Sequence, residues 1–162
     1  MKGKILALTL ILLAVPLLAW GERNAFSAYL NGNAMVPPVK TEATAGARFD
    51  FTPDGKSMRF NLSLQKLNNA TTIQIHLGAA GKVGPPVVTL YSFGPSPQLQ
   101  EGKLPGIQAR GMITAANLEG SLKGKPLSDL LKEIQNGNAY VQVRTKQHPD
   151  GELRGQITRR PT

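Results

Sequence analysis

The sequence predicts an all-β fold, an antiparallel sandwich, on three observations. Apolar residues recur at every second position in one short run after another. Clusters of Pro, Gly, Asn and Asp separate the runs at short intervals. Helical patterns do not alternate with the runs, as a parallel βαβ arrangement would require.

The first strand is expected over 24–30, where Phe26, Ala28 and Leu30 alternate with Ser27 and Tyr29. Val36-Pro37-Pro38-Val39 reads as an extended loop or strand edge, because proline cannot donate to a ladder. Over 46–52, Ala47, Phe49 and Phe51 point inward against Arg48 and Asp50. Pro53-Asp54-Gly55 then makes a turn, and Met58, Phe60, Leu62 and Leu64 carry the returning strand. After Asn68-Asn69 the pattern resumes over 71–77, with Ile73, Ile75 and Leu77 set against Thr72, Gln74 and His76. The glycine-rich link 78–86 lacks a Gly-Lys-Ser/Thr ending and leads into the apolar run Val87 to Leu90, so it does not read as a phosphate loop.

The Pro- and Gly-rich stretch 94–106 reads as a long surface loop, and 107–118 is weakly strand-like around Gly111-Met112-Ile113. One short helix is expected near 128–136. Leu127, Leu130, Leu131 and Ile134 form its apolar stripe, Ser128 is its expected N-cap, Asp129 suits its first turn and Gly137 its stop. The chain closes on a hairpin over 140–157. In it Val141, Val143 and Thr145 face in and Tyr140, Gln142 and Arg144 face out. Beyond the His148-Pro149-Asp150-Gly151 turn, Leu153, Gly155 and Ile157 alternate with Glu152, Arg154 and Gln156. Seven or eight strands with one helical excursion result.

Residues 1–21 form a basic start, an apolar run from Ile5 to Leu18 and the small-residue site Ala19-Trp20-Gly21. They are expected to be a cleaved signal peptide, leaving 22–162 as one domain that is secreted, periplasmic or attached to the cell envelope, with no membrane span after signal removal. The chain has no Cys, which removes disulfides, thiolate metal sites and cysteine lipidation. Its formal charge is +9, or +7 once Lys2 and Lys4 leave with the signal. That balance favours acidic polymers. The basic residues are scattered apart from Lys123, Lys125 and Arg159-Arg160, and few aromatics interleave with them, so specific nucleic-acid binding is not expected. Asn61-Leu62-Ser63 and Asn69-Ala70-Thr71 fit the N-glycosylation sequon.

No catalytic residues are expected. His76 has no acidic neighbour in sequence and no Gly-x-Ser-x-Gly elbow is present. The carboxylates Asp50, Asp54, Glu119, Asp129, Glu133, Asp150 and Glu152 are all explained by solvated strand faces, turns or the helix. Glu152 and Arg154 stand two apart on one face, both expected outward in a cross-strand ion pair. The competing reading gives Arg144 and Arg154 to a carboxylate or sulfate ligand.

Several stretches together resemble the CHRD (chordin) domain family, common in exported bacterial and archaeal proteins. They run from Phe26 through Asn31-Gly32-Asn33 to Val36-Pro37-Pro38-Val39, then Thr41 with Ala43 to Gly46. Ile75-His76-Leu77-Gly78 with Gly84-Pro85-Pro86-Val87-Val88 follows, and last come Tyr140 to Thr145 and Pro149 to Gln156. The resemblance covers about residues 25–158 and implies a Greek-key sandwich, immunoglobulin-like or superoxide-dismutase-like. The family pattern has histidines where this chain has Gln74 and Arg144, so only His76 remains of an imidazole set suited to copper or zinc.

The sequence therefore points to a non-catalytic CHRD-domain binding or structural module without cofactor or metal, whose partner is an unknown protein or acidic polymer of the envelope. Its expected contact residues are Gln74, His76, Gln142, Arg144 and Arg154. The alternative implied by the resemblance is a copper- or zinc-binding, superoxide-dismutase-like redox protein.

Overall fold

The computed structural model describes residues 24–92 and 107–161. The expected signal segment and the whole of the expected 94–106 loop lie outside them. Nine strands form in chain order: β1 (Ala25–Asn31), β2 (Thr44–Phe51), β3 (Ser57–Gln65), β4 (Ala70–Leu77), β5 (Pro86–Ser92), β6 (Ile107–Thr114), β7 (Ala139–Thr145), β8 (Leu153–Gln156) and β9 (Thr158–Arg159). A single helix, α1 (Leu127–Gln135), precedes β7. Every pairing is antiparallel, and the order along the hydrogen-bonded path is β5-β4-β7-β8-β1-β2-β3-β6.

The path folds over into two leaves, β1-β2-β3-β6 and β5-β4-β7-β8. Connections cross between them: β3 leads to β4, β5 to β6 and β6 through α1 to β7. The last strand is the seam. β8 pairs with β7, while Arg154 faces Asn31, Thr158 faces Ser27 and Arg159 faces Phe26, all in one register along β1. The all-β class and the short helix follow the sequence expectation; the joined leaves make the sandwich nearly closed. Segment 118–119 lies along the outer edge of β5, with Val88 bridged to Leu118 and the Glu119 amide donating to Val87 O at 2.8 Å.

Alternate residues of both leaves enter one core. Phe26, Leu30, Phe49, Met58, Leu64, Ile73, Ile75, Val141, Val143 and Leu153 are all buried in it. Full burial of a side chain of this size contributes about 1.5–3 kcal/mol. The alternation that predicted β1 to β4 is the one observed. β6 forms a full strand although its sequence pattern is weak, because each of its residues is paired to β3 from Ile107–Leu64 to Thr114–Ser57.

The helix buries Leu127, Leu130 and Ile134, with Leu131 packed partly against the core. Its expected N-cap is corrected: Pro126 holds the cap position and Ser128 lies in the first turn, because the extended φ and ψ of Pro126 set the entry one residue before the serine. The chain leaves the helix at Gly137 (φ +73°), whose amide donates to Ile134 O.

Candidate functional site

The residues expected to face solvent on β4, β7 and β8 come together, but under cover. Across the strands Gln74 faces Gln142 and Gln142 faces Arg154. In the neighbouring row His76 faces Tyr140 and Tyr140 faces Gln156. Two loops lie over this surface. Residues 32–39, entered through the tight turn Gly32–Ala34, bring Met35 and Val36; residues 78–85 bring Ala79 and Gly84. His76 is 2 % exposed, Arg154 3 %, Gln142 7 % and Tyr140 fully buried.

Tyr140 is the centre of the arrangement. The Arg154 guanidinium carbon lies 3.6 Å from the centroid of its ring, and the His76 imidazole stacks at 5.2 Å with 18° between planes. Its hydroxyl donates to Gly84 O at 3.2 Å and accepts from the Gly84 amide at 3.1 Å. Arg154 Nη2 donates to Ala79 O at 2.9 Å, and Gln156 Nε2 donates to Gly78 O and Gly137 O. Arg144 Nη1 donates to Gln74 Oε1 at 2.7 Å, and Gln74 Nε2 to Thr89 Oγ1 at 3.1 Å. Gln142 Nε2 donates to Asp150 O at 2.8 Å.

Geometry fixes the His76 tautomer. Its Nδ1 lies 2.8 Å from Gly84 O, and a carbonyl can only accept, so Nδ1 carries the proton. Nε2 is then a bare lone pair, buried and without a partner among the described residues. Burial holds the imidazole pKa below its ordinary value. The Gly84 carbonyl opposes that shift, and the charges of Arg144 and Arg154 add to it. Burial also lowers Arg154, with the Tyr140 side chain opposing, and arginine so placed remains a cation at neutral pH. His76, Gln142, Arg144 and Arg154 line a cleft of about 310 Å³ with Met35, Val36 and Gly84. An adjoining cleft of about 400 Å³ shares Met35, Val36 and Arg154.

Two expectations are corrected here. Glu152 and Arg154 do not point outward and do not form an ion pair. Glu152 is 8 % exposed and accepts from Thr41 Oγ1 and Thr145 Oγ1, each at 2.7 Å, while Arg154 lies over Tyr140. The reason is non-local: loops 32–39 and 78–85 turn the polar phase of these strands into an interior surface. The polar positions Tyr140 and Gln142 are buried by the same cover. Tyr140, Thr41 and Gly84 are not among the contact residues expected from sequence. The available signal was a tyrosine in phase with Gln142 and Arg144 on a strand otherwise read as half solvated.

Copper or zinc does not fit this donor set. One imidazole is present, Gln74 Oε1 is taken by Arg144, and two guanidinium groups repel a cation at the same place. The described residues hold no cluster of three His, Cys, Asp or Glu. What the arrangement offers is a buried acceptor beside two positive, planar donors.

A family model described as the CHRD domain matches residues 26–157. Chordin of Danio rerio is 27% identical over 141 residues, a match covering 84% of this chain and 13% of that protein. The chain thus corresponds to a small part of that relative's length. No solved structure matches. With the family model spanning 26–157, from β1 to β8, the chain belongs to the CHRD domain family.

Proposed function

We propose that the chain is an exported, non-catalytic binding module and that its contact site is the cleft between the 32–39 and 78–85 loops. The carrying observation is the unpartnered His76 Nε2, buried beside Arg144 and Arg154. A buried acceptor without a donor costs about 1–3 kcal/mol, and a ligand that donates to it recovers that penalty. The neighbouring guanidinium groups ask for negative charge. A group with both features, a carboxylate or sulfate next to a hydroxyl or amide, satisfies the site. An acidic side chain or terminus of a partner protein in the envelope or extracellular space carries such groups. The basic, apolar start of the chain supports export, after which 22–162 is the working domain.

The test is titration of the full domain with glycolate and with acetate, followed by NMR of the His76 ring nitrogens. Glycolate is expected to shift Nε2 saturably and to bind more tightly than acetate. Arg144→Ala is expected to weaken glycolate about tenfold, as loss of one charge-assisted contact does. An unresponsive Nε2, or glycolate affinity unchanged by Arg144→Ala, overturns this assignment of the contact site.

A further inference from the structure

The opposite leaf carries a second polar concavity, independent of the His76 cleft. On the outer face of β1-β2-β3-β6, register places Ser27, Arg48, Asn61 and Arg110 in one row across four strands. Tyr29, Gly46 and Ser63 form the next row. These residues line a groove of about 660 Å³, larger than either cleft on the other leaf. Its floor is low because Ser27, Gly46 and Ser63 are small. Its walls are tall because Tyr29, Arg48, Arg110 and Arg160 are long.

The charge in this groove is unspent. Arg48 and Arg110 are exposed and make no hydrogen bond or ion pair with any described residue. Arg160 enters from the β9 end, held by Asp50 at 2.6 Å. Arg48 and Arg110 stand two strands apart, about 10 Å at 4.7–4.9 Å per strand. Sheet pairing therefore sets the spacing of the two backbone positions that carry these guanidinium groups on one face. Between and beside them are groups that both donate and accept, the Asn61 amide and the Ser27, Ser63 and Tyr29 hydroxyls. The Tyr29 ring is 67% exposed next to Gly46, a bare aromatic face at the edge of the groove.

We propose that this groove binds an acidic polysaccharide, a glycan bearing uronate or sulfate groups. Planar guanidinium forks match carboxylate and sulfate oxygens. Hydroxyl and amide groups match sugar hydroxyls, which also donate and accept. The tyrosine ring offers an apolar body with a polar tip to the C–H side of a sugar. Single-stranded nucleic acid is the poorer match, since sequential base stacking uses a series of aromatics and the groove has one. A lipid surface is flat, whereas the charge here lines a concavity with a polar floor.

The test measures binding of the full domain to polygalacturonate, with neutral dextran, single-stranded DNA and phosphatidylserine vesicles as the other arms. Two double variants are compared: Arg48→Ala with Arg110→Ala in the groove, and Lys123→Ala with Lys125→Ala on the remote basic segment. Both remove two positive charges from exposed positions. Equal unfolding midpoints will show that neither disturbs the fold. The groove variant is expected to lose polygalacturonate affinity about a hundredfold, the loss of two charge-assisted contacts, and the lysine variant less than about twofold. Dextran is expected not to bind, and DNA and vesicles to bind more weakly than polygalacturonate. Equal losses in the two variants would reduce the effect to net charge and overturn the site. Tighter binding to DNA or vesicles, or no polygalacturonate binding, would overturn the ligand class. Glycolate binding at His76 is a separate readout that the groove variant leaves in place.

Discussion

On the β1-β2-β3-β6 leaf, the side chains that do not enter the core stand in water: Arg48, Asn61, Ser63 and Arg110 are all exposed. On the β5-β4-β7-β8 leaf, the corresponding phase is covered, and His76, Tyr140, Gln142, Glu152 and Arg154 are as buried as the core itself. Both leaves obey the same period of two and share one core. The difference lies in the loops. One leaf has no described loop across its outer face, whereas the other is roofed by 32–39 and 78–85. Polar residues in equivalent phases therefore carry different physics. On the open leaf they are free charges available to a ligand, and on the covered leaf they are mostly partnered groups that hold the loops in place, with His76 Nε2 left as an acceptor.

Backbone contacts give the sharpest contrast. Strand β1 lies so close to β8 that a Cβ on Gly155 would come within 2.3 Å of Tyr29 O, backbone that cannot move alone. Gly155→Ala is expected to cost about 3 kcal/mol or more in chemical denaturation, or to prevent folding. A Cβ on Gly46, on the open leaf, meets only the rotatable Ser63 Oγ at 3.2 Å, so Gly46→Ala is expected to stay within about 0.5 kcal/mol of wild type. Similar costs for the two would erase the distinction between the leaves.

The arginines come next. Arg154→Ala removes the contact over Tyr140 and the bond to Ala79 O, and is expected to cost about 2–3 kcal/mol by urea unfolding. Arg48→Ala on the open leaf is expected to change stability by no more than about 0.5 kcal/mol. The smallest effect is the pH dependence of the covered leaf. The folded pKa of His76 lies below its unfolded value of 6.5, so below that pH the unfolded chain binds the proton more readily than the folded one. The stability that neutral His76 provides is full above 6.5 and is lost as pH falls toward the folded value. Denaturation midpoints are expected to drop between pH 7 and 5, and His76→Gln to flatten that drop. An unchanged slope in the variant would show that other groups cause it.

These contrasts show what a sequence of this kind reveals. Alternation located β1 to β4 and the closing hairpin because side-chain period is a local property. It placed Gln74, His76, Gln142 and Arg144 on one face correctly for the same reason. It could not say that this face is an interior surface, since its cover comes from segments that end about 100 and about 50 residues before β7 begins. Glu152 shows the point. A glutamate two residues from an arginine reads as a solvated pair, yet its partners are the hydroxyls of Thr41, 111 residues distant, and Thr145. The arginine groove was hidden for a related reason: Arg48, Arg110 and Arg160 are remote in sequence and meet only through strand register.

The run Gly151 to Gln156 directs most of its polar groups to the molecule's own interior. Glu152 clasps Thr41 and Thr145, Arg154 caps a tyrosine, Gly155 admits the crossing strand, and Gln156 ties Gly78 to Gly137. A sequence fingerprint built on those six letters therefore reports shape. Chains that share it are expected to inherit the seam and the roofed leaf, while the side chains of the open leaf, which the fingerprint does not record, can diverge freely.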